Sequence, residues 1–164
     1  MRLLGIDPGF DRTGIGIVDH AGGKMAWVWH GCIQTSAKDP FAVRLQQTRD
    51  GLKQVLERAK PDAAVIERLF FQNNAKTAID VGMARGVAVL AVADADVLLL
   101  ELTPNQVKQG IAGWGAADKK QVQEMVQRLL KLKEIPKPDD AADALALAIV
   151  GGPLAQTARL QTRA

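Results

Sequence analysis

The chain has 164 residues, of which 48% are apolar and 24% charged, the composition of an ordinary globular domain. Twenty-one Lys and Arg against 18 Asp and Glu leave a net charge of +3, which permits a polyanionic partner without demanding one. A single cysteine (Cys32) and two histidines exclude a disulfide framework and a zinc cluster.

Three strand-like segments open the chain. Arg2–Asp7 is a short apolar run closed by the turn signal Pro8-Gly9, residues 14–18 alternate glycine with isoleucine, and residues 24–35 carry Trp27, Val28, Trp29 and Ile33. Ala21-Gly22-Gly23 lies where a tight hairpin belongs, so these strands should pair antiparallel. Phe41, Leu45, Thr48, Leu52, Val55 and Ala59 then recur at steps of three and four, the period of an amphipathic helix, with Asp39 suited to its N-cap and Pro40 to its first turn. Pro61 ends it. Ala63–Glu67 reads as a buried parallel strand, residues 75–93 as a second helix and residues 97–102 as a fifth strand. Helices are expected around residues 103–109, 119–132 and 140–149. The apolar stretch 144–155 suggests a buried helix followed by a turn at Gly151-Gly152-Pro153. Residues 1–152 then form one domain and the polar, basic residues 153–164 a flexible tail.

Strands alternating with helices after an opening hairpin imply an α/β sheet covered on both faces. No stretch reads as a membrane span, and MRLLGID reaches an acid too early for a signal peptide, so a cytoplasmic protein is expected. The second helix is unusual: along VGMARGVAVLAVADAD it is apolar on nearly every face, with Arg85 the only interruption before Asp94. Such a helix has two surfaces to bury, one against the sheet and the other against a second copy of the chain or another helix of the same one.

Four acids stand where chemistry is expected. Asp7 and Glu67 terminate the first and fourth strands, and sites in open α/β sheets form at the carboxyl ends of strands. Asp140 and Asp143 share one face at the start of a helix. If that helix lies on the same sheet edge, four carboxylates converge, and hard divalent cations with oxygen ligands relieve such a cluster. Each acid also has a plainer role: Asp7 in an Asp-Pro-Gly turn, Glu67 at a strand end, Asp139 or Asp140 as an N-cap, and Asp143 as a complement to the helix dipole.

The segments GIDPGFDRTGIGIV, VIERLFFQNNAKTAIDVGMARG, TPNQVKQGIAGWGAADKKQVQEMVQRLLKL and DDAADALALAI, in this order and spacing, resemble the RuvC family of bacterial Holliday-junction resolvases, in register from Met1 to about Gly151. The resemblance implies a ribonuclease H-like fold with a five-stranded mixed sheet and a structure-specific endonuclease that nicks two strands of a four-way DNA junction symmetrically. It places a catalytic, metal-binding tetrad on Asp7, Glu67, Asp140 and Asp143, with Mg²⁺ or Mn²⁺, two ions per subunit, and makes Asp139 the helix cap. It implies a homodimer joined through the second helix, RuvA and RuvB as partners, a base-stacking role for Phe70, and phosphate contacts from Lys108 and Lys119. Without it, Phe70-Phe71 reads equally as a buried pair, and the lysines as a solvated helix face with pairs such as Lys120 and Glu124. Trp114 in Gly113-Trp114-Gly115 could touch DNA or anchor its loop. The acids alone would also suit a nuclease of RNA–DNA hybrids. A non-catalytic junction-binding module would not need them, and an actin-like ATPase needs two domains where this chain has room for one.

Overall fold

Side chains of a strand alternate between faces, and the first strand divides its residues accordingly. In β1 (Arg2–Asp7), Leu4 and Ile6 enter one core while Leu3 enters the other, and Asp7 shares the face of Leu3 and Gly5. The computed structural model describes residues 1–68 and 75–161. After β1 come β2 (Arg12–Ala21), β3 (Lys24–Gln34), α1 (Phe41–Ala59), β4 (Ala63–Glu67), α2 (Ala75–Asp94), β5 (Leu98–Leu102), α3 (Pro104–Ala112), α4 (Lys119–Leu129) and α5 (Asp139–Gln161).

The five strands form one mixed sheet in the order β3-β2-β1-β4-β5. β1, β2 and β3 run antiparallel, and β4 and β5 run parallel to β1. The expected hairpin is present: Ala21 pairs with Lys24, and Gly22 and Gly23 both take positive φ, 55° and 74°, as a two-residue turn of this hand requires. α1 and α2 cover one face through Leu52, Leu56, Ala88 and Val92, while α3, α4 and α5 cover the other through Val107, Ile111, Val126, Leu145 and Ala148.

Two expectations are corrected. The residue preceding α1 is Pro40, without a side-chain cap, because the Asp39 carboxylate is taken by Gln47 Nε2 at 2.7 Å. The turn expected at Gly151-Gly152-Pro153 does not form, and α5 continues to Gln161. The two glycines serve close approach instead: a β-carbon on Gly151 would fall 2.3 Å from Val65 Cγ2, and one on Gly152 the same distance from the His20 ring. Pro153 removes one helical hydrogen bond. The following turns are nevertheless held, with Ala155 buried and Arg159 Nη2 donating to Asp62 Oδ1 at 2.5 Å. So residues 153–161, expected as a flexible tail, are helix. Among the described residues α5 is also long and apolar enough to cross a bilayer, yet most of its side chains are buried within this fold.

Candidate active site

The site begins with glycines. Gly5 of β1 pairs with Gly16 of β2, and Asp7 pairs with Gly14, so the sheet face beside Asp7 is bare of β-carbons. α5 fills that space with its own backbone. A β-carbon on Gly5 would meet the Ala144 carbonyl oxygen at 1.8 Å, one on Gly16 the Leu145 nitrogen at 2.5 Å, and one on Gly14 the Asp140 carbonyl oxygen at 2.0 Å. This seating sets the first turn of α5, with Asp140 and Asp143, over the carboxyl ends of β1 and β4.

Glu67 arrives from the neighbouring strand. β1 and β4 run parallel with Ile6 beside Ile66, so Asp7 and Glu67 are the next residues along each. Both side chains take the α5 face, since Leu3, Ala63 and Val65 of the same alternation lie in that core. The loop after Asp7 is pinned from α1. Arg44, itself buried, donates from Nε to Thr35 Oγ1 at 2.9 Å and from Nη2 to the Phe10 carbonyl at 3.3 Å, pairs with Asp11, and lies 3.8 Å from the Phe10 ring centre.

The acids act on one another. Burial, then the charges of Asp143, Glu67 and Asp140, push the Asp7 carboxyl up to about 8, with Lys119 opposing. Burial and Asp143 raise Glu67. Asp143 is raised chiefly by burial, and Lys119 pulls it back. The field reaches β3, where burial and then Asp140 push the Cys32 thiol up to about 11.

Two cations border the cluster. Asp118 caps α4 by accepting from the Gln121 backbone N–H at 2.8 Å, which fixes Lys119 at the first helical position. Its Nζ lies 2.7 Å from Asp139 Oδ2 and 3.2 Å from Asp143 Oδ2. Asp139 is therefore already inside α5 and paired with Lys119 first, not the residue preceding the helix as the resemblance implied. Arg12 Nε is 3.0 Å from Asp140 Oδ2, in a geometry that makes an ion pair and no hydrogen bond, so this buried oxygen has no hydrogen-bond partner.

Of the residues singled out from the sequence, Asp7, Glu67, Asp140, Asp143 and Lys119 are drawn together. Lys108 lies half-buried on α3, with no carboxylate at ion-pair distance among the described residues. Phe70 lies outside the described residues. Trp114 is exposed in the loop after α3, beyond the left-handed cap Gly113. Arg12 was missed, although an arginine five residues after a strand-ending acid was visible in GIDPGFDR. Lys120 and Glu124 stand 4.0 Å apart, as their spacing suggests.

Among the described residues, no three histidine, cysteine, aspartate or glutamate side chains are already gathered as a ready ligand set. The chemistry of the donors nevertheless suits a hard divalent cation. They are carboxylate oxygens, three of them on acids held above their ordinary range (Asp7, Glu67 and Asp143), and one buried oxygen of Asp140 lacks a hydrogen bond.

The family model described as Crossover junction endodeoxyribonuclease RuvC matches residues 3–151. A protein of that name from Brevibacillus brevis is 51% identical over 149 residues, 91% of this chain and 90% of the relative. One from Thermotoga petrophila is 49% identical over 148 residues, 90% of each. The structure of Thermus thermophilus RuvC in complex with a Holliday junction substrate superposes with a TM-score of 0.90 at 36% identity, covering 96% of each chain.

Proposed function

Because the chain belongs to the RuvC family of crossover junction endodeoxyribonucleases, we propose that Asp7, Glu67, Asp140 and Asp143 are the acidic centre at which it cuts. The protein is an endonuclease, a hydrolase that resolves Holliday junctions on a ribonuclease H-like fold. The observation that carries the assignment of residues is the seating of the α5 backbone on Gly5, Gly14 and Gly16. It brings two acids from a helix to two acids from neighbouring strands.

The four carboxylates would hold Mg²⁺ or Mn²⁺, two ions per subunit. Such ions supply activation of a water for in-line attack on phosphorus and relief of charge at the leaving 3′ oxygen. Asp7, on β1 between Glu67 and the first turn of α5, would be the central ligand. The Lys119 ammonium, fixed at the head of α4 and shared by Asp139 and Asp143, supplies positive charge beside the developing phosphorane. Lys108, like Lys119, contacts phosphates near the cut, and Phe70 stacks on a base unpaired at the crossover. The products are nicks with 5′-phosphate and 3′-hydroxyl ends.

α2 joins two copies. Ile79, Met83 and Leu90 are exposed on it at steps of four and seven residues, and a β-carbon on Gly86 would meet nothing within 4 Å, so an open apolar stripe runs along the helix. A two-fold dimer built there presents the same site twice, as two symmetric nicks need. RuvA and RuvB are the partners in this reading, and the compartment is the cytoplasm.

A synthetic mobile four-way junction tests the assignment. Wild-type protein should cut with Mg²⁺ or Mn²⁺ and not with chelator. Asp7→Asn should bind the junction with unchanged affinity and lose at least ~100-fold in rate. Retention of a tenth of the wild-type rate at saturating metal would remove Asp7 from the centre.

A further inference from the structure

Arg85 is the lone charge within the apolar run of α2, and it is neither one of the four acids nor part of the exposed stripe of Ile79, Met83 and Leu90. The structure gives it two partners at once. Its Nε donates to the main-chain carbonyl of Glu67 at 3.2 Å, and its Nη2 pairs with Glu101. Glu101 sits beside Ile66 in the β4–β5 register and so projects toward α2. The Glu67 carboxylate projects to the opposite face, toward α5. Arg85 therefore stands on the other side of the sheet from the acids and holds Glu67 by its backbone.

Glu67 is held by the sheet on one side only, since it pairs with Leu102 of β5 and lies beyond the register with β1. It is the last residue of β4, and the register with β1 stops one residue earlier, at Ile6 and Ile66. On the other side, the next amide, Arg68 N–H, donates to the Leu102 carbonyl at 2.7 Å. The Glu67 carbonyl is thus a strand-end acceptor beyond the β1–β4 register, and a guanidinium is the donor best suited to bridge it and a carboxylate together. Four-fifths of the Arg85 side chain is shielded from solvent, which strengthens both contacts.

We infer that Arg85 is a positioning residue that ties the place of the Glu67 carboxylate to α2, the helix proposed to join the two copies. A movement of α2 relative to β4 is then transmitted through Arg85 to one metal ligand, without Arg85 touching DNA or metal. This rests on the assignment of Glu67 to the acidic centre.

The test compares Arg85→Met, Arg85→Lys, Glu101→Gln and Glu67→Gln on the same junction. Arg85→Met should leave KM within about twofold and lower kcat at least tenfold. It should also raise several-fold the Mn²⁺ concentration that half-saturates the protein, read without DNA from the signal of free Mn²⁺ in electron paramagnetic resonance. Arg85→Lys should restore part of both. Glu101→Gln leaves Arg85 in place with one partner weakened, and should give a smaller change of the same pattern. Wild-type kcat and Mn²⁺ binding in Arg85→Met would overturn the inference. If Arg85→Met loses folding or association, Glu101→Gln decides, and no change there overturns it as well. Full activity in Glu67→Gln would instead overturn the assignment of Glu67, a separate outcome.

Discussion

Gly14 and Asp140 touch main chain to main chain: a β-carbon added to Gly14 would stand 2.0 Å from the Asp140 carbonyl oxygen and 3.1 Å from Asp140 Cβ. Gly14 is also the β-sheet partner of Asp7. The approach of helix to sheet and the approach of acid to acid are therefore one contact.

Gly14→Ala should separate the two. The methyl group meets backbone that cannot rotate away, so α5 must lift, at a cost of ~1–3 kcal/mol in stability. Cutting of a four-way junction should fall more than tenfold while binding persists, since the acids lose their spacing and the basic surface does not. Equal rates for the variant and wild type would show that the first turn of α5 is free to adjust.

Without metal, the acids make stability depend on pH. The fold holds the Asp7 carboxyl at about 8 against an ordinary 3.8, so the folded chain keeps this proton more firmly than the unfolded one. That stability is complete below pH ~4 and is lost as pH climbs toward 8. Glu67 and Asp143, also raised, add in the same direction. In chelator, the melting temperature of wild type should fall from pH 5 to pH 8, and Asp7→Asn should fall less, at about 2–4 °C per kcal/mol for a chain of this size. Mn²⁺ should restore wild type more than the variant. Parallel pH slopes for the two proteins would contradict the burial of charge at Asp7.

The apolar stripe on α2 predicts the effect of a charge. Met83→Glu, at an exposed position between Ile79 and Leu90, should weaken association by ~3 kcal/mol or more, over 100-fold in dissociation constant, because an unpaired carboxylate would be buried. Sedimentation should show monomers of normal melting temperature. Wild type sedimenting as a monomer at micromolar concentration would remove the two-fold mechanism.

Phe70→Ala separates recognition from chemistry. Affinity for the junction falls with salt according to the phosphates neutralised, and an uncharged ring contributes nothing to that slope. The variant should keep the wild-type salt slope and cut a fully paired junction more slowly. It should recover most of its rate on a junction with an unpaired base at the crossover, where the cost of unstacking is already met. Equal loss on both junctions would make Phe70 a packing residue.

The sheet was legible where short-range signals coincide with tertiary structure. Gly22-Gly23 marks the hairpin, and Glu67 closes a strand whose boundaries coincide with the apolar run Ala63–Glu67. Asp7 and Glu67 were each legible as strand-ending acids, and the parallel pairing of β1 with β4 supplies their adjacency. The same glycine signal misled at Gly151-Gly152, because their purpose is contact with Val65 and His20, residues more than 80 positions away. Asp39 was misread for a similar reason, since its partner Gln47 competes with the helix terminus. Arg12 against Asp140 and Arg85 against Glu101 are pairings of charge between distant positions, Arg85 against the Glu67 carbonyl joins a side chain to a distant main chain, and no periodicity points to any of them.

α5 carries acids in its first turn and, near its far end, the arginine that meets Asp62, the residue just before β4. With 23 residues at 1.5 Å each, its ends are ~34 Å apart, so the last turn lies beside the start of β4, at the opposite end of the strands from the acids. A fluorophore or affinity handle attached there would report on junction capture without standing in the path of the DNA.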